Sequence, residues 1–453
     1  MILTKDRSFY KSLLLLSVPI ALQNLVTFSI GLLDNVMIGT LGDAAISGVY
    51  MGNQIQTLLQ IFSAGIEGAI LVLAAQYWGK RDTESIKKIV SIGLRFTAAF
   101  GILLSLLCVS APSLVLSLFT KDSEIIDTGR QYLQIVALSY LFFCITQALI
   151  AAMRAVECAR IGLYVSVVSL FVNALLNYVL IFGKFGVPAL GVAGAAWATL
   201  AARIIECLIM LFFVFVYDKR LGFKPRDILK TDRRLLADFL RYGTPIILGQ
   251  LVWATNMLSN SAIMGRQKQN GVVAALSVAN TLHNLAYVVM NGMSGAIGII
   301  TGKTIGKGEE AKMREYAKTT QILFLALGLL TGATLFLMRD AYISIYNISP
   351  DAVAHARTLI NVISITIIGT CYQAACLFGL VKSGGDVSFV FKNDLIFVFL
   401  VVLPSAIIAT ALSAPPWVVF ACLKCDQILK CFVAAVKINR FRWMKNLTRK
   451  SEQ

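Results

Sequence analysis

Long apolar stretches separated by short polar connections run along the whole chain. Residues 12–33, 94–109 and 396–411 carry at most one charge each. Their lengths are close to the ~20 residues that cross the hydrocarbon core of a bilayer as a helix. A membrane β-barrel would instead need alternating segments of about ten residues, and these stretches do not alternate. The pattern therefore predicts an all-α membrane protein.

Segmentation of this pattern predicts twelve transmembrane helices, with ends placed to within about 2–4 residues. The predicted spans are 11–39, 45–77, 90–110, 131–153, 161–183, 190–217, 239–265, 272–304, 318–338, 358–381, 395–412 and 416–438. Six precede and six follow the most charged connection, which indicates two six-helix lobes.

The two halves of the sequence also resemble each other at a shift of 226 or 227 residues. The matched segments are 17–20 with 243–246, 36–39 with 262–265, and 65–70 with 292–297. An even number of spans in each half gives two pseudo-symmetric lobes of the same orientation, the parallel-repeat plan of transporters that bind substrate between lobes. We predict an N-lobe at 1–218, a cytoplasmic linker at 219–238 and a C-lobe at 239–453.

Basic residues exceed acidic ones, with 41 Lys and Arg against 24 Asp and Glu. Most of them lie at the termini and in the connections on one side of the predicted membrane. The positive-inside rule then places both termini in the cytoplasm of a bacterial cell membrane. Orientation and attraction to lipid headgroups explain the excess, so no nucleic-acid partner is expected. The linker 219–238 is either a hinge or a solvated connection that enforces topology.

Asp34 is the strongest candidate for chemistry, because an ionisable side chain within a span is costly and usually functional. Its partner position in the second half is Asn260. A carboxyl in a low-dielectric bundle favours neutralisation by a proton or a sodium ion. The alternative is an inert residue at the outer end of the helix.

Asn173 and Asn177 lie four residues apart, hence on one helix face. Their amide oxygens either complete a hard-cation site with a carboxylate or make hydrogen bonds between helices. Glu67, among small residues, is a second proton or cation site or a packing residue. Arg203 and Glu206, three apart on one face, favour a mutually neutralising pair.

Matched prolines and uncharged polar side chains complete the candidates. Pro19 and Pro245 each remove one helix hydrogen bond and should bend their helices, either as a switch or to fit the shape of the lobe. Polar groups inside the spans suit a substrate cleft, although each one also suits helix packing. These are Gln23, Asn24, Gln250, Asn256, Asn260 and Asn280.

An enzyme is not expected. The only histidines are His283 and His355, in different spans, and no catalytic constellation or phosphate-binding loop accompanies them. Cys422 and Cys425 have no second pair for zinc, so no cofactor is expected. No filter-like motif indicates a selective channel.

The chain resembles the multidrug and toxic compound extrusion (MATE) family over nearly its whole length. The resemblance rests on Pro19 and on residues 34–39, 75–79, 172–178 and 194–199, together with the duplication. It implies a MATE/MOP-like fold, which we expect to be a monomer contacting membrane lipids.

The resemblance also implies site residues. The N-lobe cation site of the family maps onto Asp34, Asn173, Asn177 and Thr199, a set that leaves H⁺ and Na⁺ both open. Carboxylates that some relatives carry in the seventh and tenth helices correspond to Trp253 and Cys371 here. Coupling is therefore expected in the N-lobe.

The sequence thus predicts an antiporter that exports organic, often cationic compounds in exchange for H⁺ or Na⁺. Trp253 and Tyr287 are candidates for stacking on such cations, and Glu67 for attracting them. One alternative is a flippase for lipid-linked precursors, which would favour a basic cavity; few buried Lys or Arg are expected here. The other is a membrane receptor without transport activity.

Overall fold

Helices form the regular structure of the computed structural model, which describes residues 3–267 and 269–449. No strand occurs within these residues. The described part of the first half contains α1 (Arg7–Gly39), α2 (Asp43–Gly79), α3 (Thr83–Ser110), α4 (Pro112–Ser117), α5 (Ser123–Val136), α6 (Tyr140–Ala155), α7 (Arg160–Phe182) and α8 (Gly191–Phe212).

The second half follows a similar order. Its helices are α9 (Arg233–Gly265), α10 (Val272–Gly306), α11 (Glu310–Ile343), α12 (Pro350–Gln373), α13 (Val387–Ile396), α14 (Leu403–Ala411), α15 (Pro416–Lys424) and α16 (Asp426–Asn439). π-Helical segments at Phe213–Tyr217, Ala374–Lys382 and Phe397–Val402 extend α8, α12 and α13. Short 3₁₀-helices lie at Ala137–Ser139 and Pro225–Leu229.

Ten helices in the described ranges are long and apolar enough to cross a membrane, which confirms a multi-pass all-helical membrane protein. They correspond to all predicted spans except the seventh and the twelfth. The seventh lies in α9, where polar residues such as Gln250 and Asn256 lower the hydropathy. The twelfth is divided between α15 and α16 and contains Lys424, Asp426 and Lys430. The count of twelve spans stays a prediction.

The chain forms two compact units whose bounds differ from the halves of the sequence. The N-unit comprises Leu22–Ile247, and the C-unit comprises the residues up to Ala21 and from Leu248 onward. α1 and α9 therefore each contribute to both units, and the linker 219–238 lies inside the N-unit. The predicted N-lobe and C-lobe therefore describe the two repeats of the sequence, and their bounds are not those of the two compact units.

α1 and α9 are matched helices of 33 residues each, with Pro19 and Pro245 at the same position. Both helices continue through the proline. Each boundary between the units falls two residues beyond it. Because proline removes one backbone hydrogen bond, each helix changes unit beside its weakest point.

Matched glycines explain why these helices are divided. In the N-unit, a Cβ atom on Gly65 of α2 would lie 2.9 Å from the Cα of Ile247 in α9. In the C-unit, a Cβ atom on Gly292 of α10 would lie 2.7 Å from the Cα of Ala21 in α1. The same pairs correspond in the repeat. The second helix of each half therefore packs directly against the first helix of the other half.

The linker is anchored to α3. Arg95 donates hydrogen bonds through Nε to the Ile228 carbonyl (3.0 Å) and through Nη2 to the Lys230 carbonyl (2.6 Å). Ser91 Oγ donates to the carbonyl of Asp227 (2.7 Å). The linker is therefore a docked part of the N-unit around these residues, and not a free solvated connection.

Thr4 and Asp6, just before α1, are held by α11 within the C-unit. The backbone N–H of Thr4 donates to Thr319 Oγ1 (2.8 Å), and Tyr316 Oη donates to Asp6 Oδ2 (2.6 Å). The hydrogen bond from Tyr316, assisted by those from Ser8, lowers the pKa of Asp6 from its usual 3.8 to about 2. These contacts place the start of the chain in the C-unit.

Candidate functional site

A cavity of about 180 Å³ lies inside the N-unit. α1, α2, α5, α7 and α8 supply its walls, and most of the lining side chains are polar. Asp34, Asn173, Thr199 and Arg203 all line it. The structure thus brings candidates from three separate predicted spans to one place.

Asp34 is hydrogen-bonded in the wall of this cavity. Asn177 Nδ2 donates to Asp34 Oδ1 (2.5 Å) and to Asn173 Oδ1 (3.1 Å). Asn177 and Asn173 are buried, whereas Asp34 is half-buried. The carboxylate is therefore neither remote from the asparagines nor open to bulk water on all sides.

The oxygen atom of the Asn177 side chain is buried and has no hydrogen-bond partner among the described residues. An unsatisfied buried acceptor costs free energy, and a bound cation would satisfy it. One carboxylate, two amide oxygens and the hydroxyl of Thr199 are donors that suit a hard cation. The oxygen atoms of these side chains are therefore of the chemical type that binds a hard cation such as sodium.

Arg203 brings a fixed positive charge into the same cavity. Its Nη1 lies 2.7 Å from Glu206 Oε2, and the two side chains are 11% and 5% exposed. This is the ion pair that their spacing predicted. Arg203 also interacts electrostatically with Asp34. The site therefore combines one carboxylate with a nearby guanidinium that is already paired.

Glu67 belongs to another buried group in the N-unit. It is not among the residues that line the cavity, and its electrostatic partner is Arg154. Arg154 Nη2 donates to Gln23 Oε1 (2.7 Å), and Gln23 is buried. Arg154 was overlooked because the fourth predicted span ended one residue before it. The proposed part of Glu67 in substrate binding stays a prediction.

The other cleft candidates lie in the C-unit, on α9 and α10. Asn256 and Asn260 each have a buried amide oxygen with no partner in the described ranges. Tyr287 stacks on His283, with ring centres 6.2 Å apart. Gln250 and Asn280 are half-buried, and Trp253 is 46% exposed. None of these residues lines the Asp34 cavity, and their role in a cleft stays a prediction.

A charged cluster in the C-unit escaped the sequence analysis. Lys430 Nζ lies 2.9 Å from Asp394 Oδ1 and 2.9 Å from Asp426 Oδ2. Lys382 and Lys424 are half-buried and make no salt bridge within the described residues. Among the described basic residues, only Arg203 and Lys430 are buried, so few are buried, as expected. The charges inside the predicted span 416–438 were the signal that should have revealed the cluster.

Cys422 and Cys425 are free thiols, as are the other seven cysteines. Across residues 3–267 and 269–449, no group of three or more His, Cys, Asp and Glu side chains could hold a metal ion. The structure therefore adds no further ligand to the Cys422–Cys425 pair.

Three features define the class of this membrane protein. They are helices of membrane length, matched helices in two compact units, and a polar, charged cavity among the spans. Ionisable groups within membrane helices mark pathways for ions or substrates, and internal repeats are typical of secondary transporters. The chain is a multi-pass membrane protein with the architecture of such a transporter.

The particular family follows from comparison. The MatE family model matches residues 19–179 and 245–408. The two matches start at Pro19 and Pro245, the same positions in the repeat. The chain belongs to the MatE family, which confirms the resemblance predicted from its motifs.

Individual relatives agree. The chain is 27% identical to the probable multidrug resistance protein NorM of Agrobacterium fabrum, over 81% of this chain and 78% of that protein. It is 26% identical to the protein of the same name from Photorhabdus laumondii, over 90% and 88%. A structure described as the outward-facing conformation of a multidrug resistance MATE family transporter of the MOP superfamily matches with a TM-score of 0.86, at 18% identity, over 97% and 99%. These matches show the fold of MATE transporters.

Proposed function

We propose that the protein is an antiporter that exports organic compounds across a bacterial cell membrane in exchange for an inward-moving cation. The family and the relatives named for multidrug resistance support efflux. The observation that carries the coupling is the half-buried Asp34 carboxylate, held by Asn177 inside a polar cavity. No step in this scheme requires an enzyme activity or a cofactor.

Asp34 couples the two movements through a difference in ion affinity. A bound ion shifts an equilibrium between inward-open and outward-open states only by its preference for one of them. Hydrogen bonding from Asn177 and the charge of Arg203 set that preference in this arrangement. A change in either contact between the states would load Asp34 on one side and unload it on the other.

The geometry favours a proton over a sodium ion. Sodium requires several oxygen ligands, whereas Asn177 presents its N–H group to Asp34. A proton needs only one oxygen of Asp34.

The expected substrates are amphipathic organic cations. Asp34 and Glu67 supply negative charge within the spans, and Trp253 and Tyr287 supply aromatic faces that attract cations. The distribution of basic residues supports cytoplasmic termini and contact with anionic lipids. We expect a monomer to be the working form.

Reconstituted vesicles test this function directly. We expect a proton gradient to drive uptake of a cationic dye into inside-out vesicles. Asp34→Asn should abolish gradient-driven uptake, because a neutral amide cannot load a proton. Asp43→Asn, at an exposed position nearby, is the matched control and should keep it. Undiminished uptake by the Asp34 variant would remove this carboxylate from the mechanism.

A lipid-linked precursor flippase is the second candidate. The observation in its favour is the pair of half-buried lysines, Lys382 and Lys424, without salt bridges in the described part of the chain. Unpaired cations within spans would suit a phosphate group. The same vesicles distinguish the two functions, because a flippase would translocate a fluorescent diphosphate lipid with no dependence on the dye or the proton gradient.

A further inference from the structure

Two carboxylates in the C-unit share a single ammonium group. Asp394 lies in the last turn of α13, and Asp426 and Lys430 lie one helical turn apart on α16. Lys430 Nζ contacts one oxygen of each carboxylate at 2.9 Å. We call these three residues the Lys430 cluster.

The two carboxylates differ in their surroundings. Asp426 Oδ1 also accepts a hydrogen bond from Gln427 Nε2 (3.2 Å), and Gln427 Oε1 in turn accepts one from Thr370 Oγ1 (3.1 Å). Lys430 is the one hydrogen-bond donor to Asp394 within the described residues. The side chain of Asp394 is 15% exposed, against 2% for Asp426. Asp394 is therefore the less supported and the more accessible carboxylate.

Other charged and titratable groups face the cluster from the neighbouring helices. Lys382 and Tyr287 interact electrostatically with Asp394, and Lys424 with Asp426. His283 in turn lies near Lys424. Lys382 and Lys424 form no salt bridge in the described ranges, so Lys430 is the cation in direct contact with the carboxylates.

The charge balance of the contact group is incomplete. Two carboxylates and one ammonium leave one negative charge in a setting where carboxylates that share a site resist ionising together. A proton on Asp394 removes this excess and leaves a neutral pair between Lys430 and Asp426. The Lys430 cluster can therefore exist in two compositions that differ by one proton.

The local backbone also departs from a regular α-helix. The π-helical segment Phe397–Val402 follows Asp394 within three residues, and Ala374–Lys382 packs against α13 and α16. π-Helical turns are rare and frequently mark functional sites. Both π-helical segments therefore lie close to Asp394, where a change in its charge would act on their backbone.

We propose that Asp394, Asp426 and Lys430 form a second proton-binding site, in which Asp394 takes up and releases one proton. Its use in transport rests on the antiport function proposed above, whereas proton binding itself does not. The family resemblance implies that the seventh- and tenth-helix carboxylates of some relatives correspond to Trp253 and Cys371, which are not part of this cluster.

Infrared difference titration of the full-length purified protein, labelled with carboxyl-¹³C aspartate, tests this site. The Asp34→Asn variant removes the first site and should retain the protonation signal of Asp394 in addition to that of the other aspartic acids. Adding Asp394→Asn should remove the Asp394 signal. Adding Asp386→Asn is the matched control and should leave it. Although burial opposes this, hydrogen bonds from Lys437 and Lys445 keep the pKa of Asp386 below its usual value, which favours its ionised form.

A second variant acts in the opposite direction. Lys430→Gln removes the cation and should raise the amount of protonated aspartic acid at neutral pH. The variant must elute from size-exclusion chromatography at the same volume as the wild type, so that misfolding is excluded as the cause of this gain. Identical spectra with and without Asp394→Asn, or no gain in the Lys430 variant, would overturn the proposal. Dye transport by Asp34→Asn is measured in a separate experiment. The infrared result on proton binding therefore stands or falls independently of the proposed antiport function.

Discussion

At the scale of residues, the Asp34 site is defined by how few carboxylates it contains. Asp34 is the one carboxylate among the described residues that line the cavity, and the Arg203–Glu206 pair lies beside it. Asn177 uses its donor atom on Asp34, which stabilises the charged carboxylate and leaves an amide oxygen unsatisfied. The identity of residue 177 should therefore decide which ion the site accepts.

Asn177→Asp should move the site towards sodium. The substitution removes a donor and adds a second negative charge beside Asp34, and the pair would bind a hard cation more strongly. We expect a sodium gradient to drive dye uptake in the variant, with apparent sodium affinity rising about tenfold or more, equivalent to about 1.4 kcal/mol. Asn270→Asp adds the same charge on an exposed loop and should change nothing. Equal sodium dependence in the wild type would refute the preference for a proton.

Asp6 provides a pH-dependent contact at the start of the chain. Its pKa of about 2 lies below the usual 3.8, so its stabilisation is complete above pH ~4 and is lost as the pH falls towards 2. With solvent screening, Asp6→Asn should cost about 1 kcal/mol at neutral pH and progressively less below pH ~4. Thermal unfolding at several pH values measures this. Tyr316→Phe should match it at neutral pH, and full additivity of the two changes would contradict a shared hydrogen bond.

At the scale of elements, glycines set how closely α2 and α10 approach their neighbours. Gly65 faces the backbone of Ile247, and Gly292 faces the backbone of Ala21. Small residues at such crossings are the main means of tight helix association in membranes. Backbone atoms cannot move aside as a side chain can, so both contacts should be intolerant of a methyl group.

Gly65→Ala and Gly292→Ala should each destabilise the protein by about 1–3 kcal/mol through overpacking. Gly249→Ala in α9 is the control, because a Cβ atom there meets nothing within 4 Å and alanine favours helix. Melting temperatures in detergent distinguish these cases. If all three variants melt alike, the close approach of the helices does not control stability.

At the scale of the whole molecule, the first helix of each half is divided between the units. Residues up to Ala21 belong to the C-unit, and the start of α9 up to Ile247 belongs to the N-unit. A cut in the linker would therefore leave each fragment with helical residues that belong to both units. The two halves follow one another in the sequence, but each compact unit contains residues from both halves.

Cleavage of the linker should not separate the halves. A protease site inserted after the exposed Lys219 would yield two fragments, and we expect them to elute together in size-exclusion chromatography in detergent. The uncut protein with the same insertion provides the reference volume. Separate elution of the fragments would contradict the division of α1 and α9 between the units.

The sequence by itself determined the features that depend on local pattern. Uncharged stretches of membrane length indicate helices, since in lipid every backbone group must bond within its own segment. The repeat, with Pro19 and Pro245 at matched positions, can also be recognised from the sequence alone. The same is true of the family. Asn173 and Asn177 were placed on one face by helical periodicity alone.

Only the tertiary structure decided which distant side chains meet. Asp34 contacts Asn177 on another helix, Glu67 interacts electrostatically with Arg154, and Lys430 lies between Asp394 and Asp426. The division of α1 and α9 also depends on glycine contacts between helices more than 180 residues apart in the chain. Charge pairing and close packing act through space, so a one-dimensional pattern of polarity cannot specify them.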